Sequence, residues 1–86
     1  MKKVNARILE AQRFSFANEE SLMNSGICGC FCCCRIFAPN QIEDYVTDTG
    51  GFTALCPYCN MDSVIGDASG YPITEEFLRE MEKYWF

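Results

Sequence analysis

Two Cys-x-x-Cys pairs constrain this chain more than any other feature of its sequence. Cys30 and Cys33 form the first pair, and Cys56 and Cys59 form the second. Each such turn places two sulfurs at one apex, and a tetrahedral metal site takes four ligands. Two turns therefore complete the shell without a water molecule. The pattern predicts one structural zinc ion held by Cys30, Cys33, Cys56 and Cys59.

Three further cysteines, Cys28, Cys32 and Cys34, lie around the first pair. Cys28 could replace Cys30 in a wider Cys-x4-Cys loop that ends at Cys33, so the register of this turn stays open. We interpret the additional cysteines as small buried or half-buried hydrophobes. The alternative is a redox role, in which surplus thiols form a disulfide beside the zinc thiolates and release the metal.

Iron is the alternative to zinc as the bound metal. Cys56-Pro57-Tyr58-Cys59 is rubredoxin-like, and two separated Cys-x-x-Cys pairs suit a single iron ion as well as zinc. We favour zinc because it is the usual occupant of closed tetrahedral thiolate sites.

The cysteine content also bears on the compartment. The chain has 86 residues, enough for one small domain, and its seven cysteines would leave one thiol over in a disulfide framework. Polar residues interrupt the segment that follows the basic start, so no signal peptide is predicted. No apolar run is long enough to cross a bilayer. We therefore expect a cytoplasmic protein with no membrane segment, whose reduced thiols bind metal.

Catalysis is not predicted, because the chain contains no histidine. Histidine is the commonest general base and the usual ligand of an open catalytic zinc site. Gly50-Gly51 and the following Leu55-Cys56-Pro57-Tyr58-Cys59-Asn60 superficially resemble half of an HNH-type nuclease, which needs histidines for its chemistry. Ser63 and Ser69 have no base partner. Aspartate in turns is favoured for local hydrogen bonding, and this interpretation applies to Asp44, Asp48, Asp62 and Asp67.

The charge balance argues against a nucleic-acid partner. The net charge is −5, with 12 acidic and 7 basic residues, whereas phosphate neutralisation requires clustered Lys and Arg. We expect a non-catalytic structural zinc module that binds another protein, whose identity the sequence leaves open. A nucleic-acid-binding zinc ribbon and a thiol redox or metal-handling protein are the alternatives.

The order of elements predicts a small α+β fold with a zinc-ribbon-like β-hairpin core, two zinc knuckles and flanking helices. A single domain, residues 1–86, comprises a helical N-terminal segment (1–26), the zinc ribbon (27–66) and a C-terminal helix (74–86). The C-terminal helix follows from apolar residues at helical spacing.

Two shorter elements are predicted inside the zinc ribbon. Residues 52–65 are expected to form a hairpin with the metal at its tip. Pro39 is expected to open a short helix over residues 40–45, since proline is well tolerated in a first turn.

Polar residues mark the expected helix starts. Asn18 and Thr74 are each followed by two acidic residues and are predicted N-caps. Gly26 is expected to end the short helix that Asn18 begins. A weaker helix is expected over residues 5–14. Its apolar face comprises Val4, Ile8 and Ala11.

Three large rings, Tyr84-Trp85-Phe86, end the sequence. We expect the C-terminal helix to dock and bury them, as most aromatic side chains of a small domain are needed in its core. The alternative is a partly exposed surface for a partner, since Trp and Tyr are favoured at interaction hot spots.

Several sequence pieces between residues 28 and 86 carry a family resemblance. They are Cys30-Phe31-x-Cys33, Phe37-x-Pro39, Thr53-Ala54-Leu55-Cys56-Pro57-x-Cys59, Asp62-Ser63-Val64-Ile65-Gly66, and the ending from Pro72-Ile73-Thr74 to Trp85-Phe86. The combination resembles a family of small uncharacterised bacterial proteins labelled as cytoplasmic or zinc-ribbon proteins. The resemblance implies the ligand register that begins at Cys30, and it implies no activity. The departures from the family pattern are Cys32, Cys34 and Asn60, the last at an expected glycine.

Overall fold

The computed structural model of the protein describes residues 6–48 and 50–86. Its α-helices are α1 (Ala6–Ala11), α2 (Glu19–Met23) and α3 (Glu75–Trp85). Its strands are β1 (Cys28–Cys30), β2 (Ile36–Phe37), β3 (Tyr45–Asp48), β4 (Gly51–Ala54) and β5 (Val64–Gly66). Short 3₁₀ turns cover Gln12–Ser15, Pro39–Gln41 and Asp67–Ser69. The predicted small α+β fold with a C-terminal helix is confirmed.

The strands form two small antiparallel sheets. One sheet has the order β2-β1-β5, with Gly29 opposite Ile36 on one side and Ile65 on the other. The other sheet is the hairpin of β3 and β4, in which Tyr45 lies opposite Ala54. The first cysteine pair starts at the last residue of β1 and continues into the turn that leads to β2, and the segment between β4 and β5 contains the second pair. The second pair therefore lies where the chain passes from one sheet to the other.

The predicted hairpin over residues 52–65 is wrong in its pairing, because β4 pairs with β3 and β5 pairs with β1. The predicted helix over residues 40–45 is also wrong. The 3₁₀ turn at Pro39–Gln41 is followed by β3, whose Tyr-Val-Thr run favours strand structure. Asp48 lies opposite Gly51 at the closed end of the β3–β4 hairpin, and Thr49 lies outside the described residues.

Helix α3 packs on the three-stranded sheet next to the first cysteine pair. Thr74 caps the helix as predicted, because its Oγ1 accepts a hydrogen bond from the Phe77 N–H at 3.2 Å. Leu78 and Met81 are fully buried. A Cβ at Gly29 would lie 2.6 Å from Leu78 Cδ1. Glycine in the middle of β1 therefore allows the helix to approach the sheet closely.

The N-terminal segment is helical as predicted, with α1 continuing into the 3₁₀ turn Gln12–Ser15. Ile8 and Ala11 are buried on the predicted face, while Val4 and Asn5 lie outside the described residues. Helix α2 ends at Met23 with Asn24 as its C-terminal cap, one turn earlier than the predicted stop at Gly26.

Asn18 precedes α2, but the predicted capping hydrogen bond is absent from the described structure. Its side chain is buried and turned towards the sheets instead. Asn18 Oδ1 accepts from the Ala54 N–H at 3.0 Å, and its Nδ2 donates to the Val64 carbonyl at 2.8 Å. Nδ2 also donates to the Phe14 carbonyl at 3.1 Å. One side chain thus joins the helical segment to strands of both sheets.

The expectation that the C-terminal rings are buried is wrong. Tyr84 is 47% exposed, Trp85 is 37% exposed and Phe86 is 56% exposed. Trp85 Nε1 donates to the Ile8 carbonyl at 3.3 Å, and the Phe86 ring lies 6.0 Å from the Phe31 ring. The buried face of α3 is made by Phe77, Leu78 and Met81, and the last three rings lie at the edge of this packing.

None of the described helices is long and apolar enough to cross a membrane.

Candidate metal centre

The structure brings the four predicted ligand sulfurs together. The sulfurs of Cys30, Cys33, Cys56 and Cys59 all lie within 4.8 Å of one another. Cys30 Sγ is 3.6 Å from Cys59 Sγ, and Cys33 Sγ is 3.7 Å from Cys56 Sγ. A tetrahedral zinc–thiolate site with Zn–S bonds of about 2.3 Å has sulfurs about 3.8 Å apart. The donor chemistry and the spacing both fit a four-coordinate metal ion.

Residues 30–35 form the first knuckle, a tight turn stabilised by its own backbone. The Cys30 N–H donates to the Arg35 carbonyl at 3.0 Å, and the Cys34 N–H donates to the Cys30 carbonyl at 2.8 Å. The Cys32 N–H points at Cys30 Sγ, 3.3 Å away. An N–H donor aimed at sulfur favours the thiolate form, which is the form that binds metal.

Residues 56–61 form the second knuckle, which repeats the first. The Cys56 N–H donates to the Met61 carbonyl and the Asn60 N–H donates to the Cys56 carbonyl, each at 2.9 Å. The Tyr58 N–H lies 3.4 Å from Cys56 Sγ. The two knuckles therefore face each other with matched backbone geometry, although their side chains differ.

A left-handed residue closes each knuckle at the same position. Cys34 has φ of +62° and Asn60 has φ of +66°. Asparagine tolerates this conformation well, which accounts for Asn60 at an expected glycine. Cys34 occupies the equivalent position with no such advantage, so it is one of the few strained residues near the site.

Replacing Cys34 with glycine is expected to leave stability unchanged or to raise it by up to about 1 kcal/mol. Relief of left-handed strain, roughly 1–2 kcal/mol, is partly offset by the greater freedom of glycine in the unfolded chain. Urea unfolding of the metal-loaded protein measures the effect. Cys32→Gly is the control, because φ is not positive at Cys32, and it should destabilise. A larger loss for Cys34→Gly than for Cys32→Gly would contradict this explanation.

Burial and hydrogen bonds have opposing effects on the thiols of the site. Burial raises the pKa of Cys33 to about 11 and also raises the pKa of Cys59. At Cys56 burial raises the pKa, but hydrogen bonds from the Cys59 and Tyr58 N–H groups and from neighbouring thiols together outweigh it, so the pKa of Cys56 is lowered. Protons therefore compete with metal for the Cys33 and Cys59 sulfurs, and metal affinity should fall as the pH falls.

The remaining cysteines lie outside the sulfur cluster. Cys28 is fully buried in the core, where burial and then Asp67 raise its pKa to about 12. The structure therefore groups Cys30, not Cys28, with Cys33. Cys32 and Cys34 are half-buried, and burial raises the pKa of each. Their burial agrees with the interpretation of all three as packing residues.

Tyr58 connects the two knuckles through contacts that sequence reasoning did not identify. The Arg35 guanidinium lies over the Tyr58 ring at 4.8 Å, and the Phe37 ring lies 5.9 Å from it. Gln41 Nε2 donates to the Tyr58 hydroxyl at 3.4 Å. Arg35 is the last residue of the first knuckle and Phe37 follows it in β2, whereas Tyr58 belongs to the second knuckle. These contacts join the two knuckles through side chains that are not candidate ligands.

The carboxylates are not part of the site. Within residues 6–48 and 50–86, the four cysteines are the group of side chains that could hold a metal ion. Asp67 accepts hydrogen bonds from the Gly26 and Ile27 N–H groups at 2.9 and 3.5 Å. This loop role agrees with the interpretation of that aspartate as a turn residue. Ser63, to which the sequence assigned no role, lies beside the sulfur cluster, since its Oγ is 3.0 Å from Cys30 Sγ.

Comparison with protein-family models, with curated proteins and with solved structures found no match. The resemblance to a bacterial zinc-ribbon family therefore stays a prediction from the sequence. What the molecule can do has to be argued from its own geometry.

Proposed function

We propose that this protein is a non-catalytic module folded around one structural zinc ion, and that its exposed aromatic surface binds another protein. The observation that carries the zinc assignment is the cluster of four sulfurs, with pairs 3.6 and 3.7 Å apart. Four protein thiolates fill a tetrahedral shell, so no position is left for a water molecule or a substrate. The metal in such a site supplies folding energy rather than chemistry.

Metal analysis of the purified protein tests the assignment. We expect one zinc ion per chain by elemental emission and native mass spectrometry. An iron tetrathiolate would instead give a coloured protein with charge-transfer bands in the visible range. Recovery of a folded, fully reduced chain with no bound metal would overturn the proposal.

The absence of a catalytic set supports a structural role. The chain has no histidine, and histidine is the commonest general base. Cys28 is buried with a raised pKa, which makes it a poor nucleophile and a poor redox thiol. The structure therefore gives no observation that favours the thiol-redox alternative.

An aromatic cleft at the end of α3 is the surface we assign to a protein partner. It has a volume of about 140 Å³. Its lining residues are Gln12, Ser15, Phe16, Phe31, Asp62, Ser63, Trp85 and Phe86. Phe16 and Phe86 are each about half exposed, at 49% and 56%. Exposed rings around a concave apolar surface are typical of protein interaction sites.

Three basic side chains contact other groups of the protein, which argues against nucleic acid as the partner. The Arg7 guanidinium lies 5.8 Å from the Tyr71 and Phe77 rings, and Arg35 lies over Tyr58. Arg79 forms an ion pair with Glu75 at 2.9 Å. Each of these three cations faces one of the protein's own groups. A phosphate backbone needs such charges clustered on one surface.

A pull-down with matched variants tests the protein-binding part. We expect partners captured by the zinc-loaded protein to be lost with Phe86→Ala and retained with Met23→Ala. Met23 is 76% exposed and does not line the cleft, so its variant controls for non-specific hydrophobic binding. Equal capture by both variants would contradict the cleft assignment. A shift of DNA or RNA mobility at low salt would favour the nucleic-acid alternative instead.

A further inference from the structure

A buried serine hydroxyl lies against one of the four sulfurs. Ser63 is 1% exposed, and its Oγ is 3.0 Å from Cys30 Sγ. A buried hydroxyl needs a hydrogen-bond partner, and this sulfur provides one. The Ser63 carbonyl is engaged separately, because it accepts from the Phe31 N–H at 3.0 Å. That backbone bond fixes Ser63 against the first knuckle.

The protonation state of the sulfur determines the direction of the hydroxyl bond. A metal-bound cysteine is a thiolate and carries no proton. Cys30 Sγ can then only accept, so the Ser63 hydroxyl must donate. A hydrogen bond to an ionised acceptor is roughly twice as strong as a neutral one.

The hydroxyl makes the two knuckles unequal. Cys30 and Cys56 hold equivalent positions, and each accepts a backbone N–H, from Cys32 and from Tyr58 respectively. Ser63 follows the second knuckle at the same offset at which Phe37 follows the first. Phe37 is buried and has no polar atom in its side chain, so this position gives Cys56 no hydroxyl donor.

We propose that Ser63 is an outer-sphere donor of the metal site, whose hydroxyl stabilises the Cys30 thiolate, tightens metal binding and weakens that sulfur as an electron donor. The inference rests on the proposed metal site. Groups that hydrogen-bond the ligands of a metal commonly change its affinity by about 10- to 100-fold. The same bonds tune the electronic properties of a metal–thiolate centre.

Cobalt(II) substitution tests the inference with a spectroscopic readout. We expect Ser63→Ala to weaken cobalt and zinc binding by about 10-fold or more in chelator competition. Its sulfur-to-cobalt charge-transfer band should move to lower energy, because the Cys30 sulfur loses a hydrogen-bond donor and becomes a stronger electron donor. Ser63→Thr retains the hydroxyl and should keep the band near its wild-type position.

Ser15→Ala is the matched control. Ser15 is also 1% exposed, but its Oγ donates to the Gln12 carbonyl at 2.6 Å and not to a sulfur. It should leave the band unmoved even if stability falls. A wild-type chain that binds no cobalt would defeat the proposed metal site itself. A wild-type chain that binds cobalt, with Ser63→Ala matching Ser15→Ala or with Ser63→Thr shifting as far as Ser63→Ala, would overturn the role of Ser63 alone.

Discussion

Replacing Cys56 with serine is expected to abolish stoichiometric zinc binding and to leave the chain largely unfolded. Cys56 is 2% exposed and packs in a core cluster with Ala54 and Val64. Structural zinc contributes about 10–16 kcal/mol of apparent binding energy, which is as large as the whole stability of a typical domain. A serine hydroxyl stays protonated and is a poor zinc ligand, so the variant loses most of that binding energy. Circular dichroism and metal content measure the effect together.

Cys32→Ser is the control for this experiment. Cys32 lies between two ligands of the first knuckle but is half-buried and outside the sulfur group, so its variant should keep one zinc and fold. A second pair of variants tests the register. Cys30→Ser should lose the metal and Cys34→Ser should keep it, and the reverse result would show that the ligand assignment is wrong.

The grouping of the four sulfurs could be predicted from the sequence because most of its geometry is local. A Cys-x-x-Cys turn brings its own two sulfurs close together, and four sulfurs complete a tetrahedral site. The four candidate ligands could therefore be identified without knowing how the strands pair. Thr74 and α3 were equally predictable, since capping and helical spacing involve neighbours in the chain.

Strand pairing could not be predicted in the same way. β4 and β5 flank one knuckle and so suggested a hairpin, yet each pairs with a different strand. Strands of only three or four residues carry little periodicity, and competing partners decide their pairing. The exposure of Trp85 and Phe86 could not be predicted either, because helical spacing does not show which aromatic side chains of a helix lie against the sheet.

Asn18 is the clearest case of long-range structure overriding a local signal. Its sequence context is that of an N-cap, but its side chain bonds Ala54 and Val64, which are distant in the chain. Burial explains the outcome, because Asn18 is 2% exposed and the strand groups that it meets have no access to water. A buried backbone N–H or carbonyl without a partner is costly, whereas an exposed helix terminus can be hydrated.

Asn18→Ala is therefore expected to lower the stability of the metal-loaded protein by about 2–6 kcal/mol. The change leaves the Ala54 N–H and the Val64 carbonyl unsatisfied, at about 1–3 kcal/mol each. Urea unfolding at a fixed free zinc concentration measures the loss, since bound metal shifts the apparent stability. Asn24→Ala is the matched control, because Asn24 is exposed and its Nδ2 makes a single bond to the Glu20 carbonyl at 3.1 Å. It should change stability by no more than about 0.5 kcal/mol.

The same substitution should also weaken zinc binding, which a merely local helix cap would not do. β4 leads through Leu55 into the second knuckle, and β5 begins directly after Ser63. Asn18 bonds both strands, so its loss frees the two ends of the segment that positions Cys56 and Cys59. We expect faster zinc loss to a chelator for Asn18→Ala than for Asn24→Ala. If the two variants release zinc at the same rate, Asn18 acts only on the helical segment, and the sheets position the second knuckle without it.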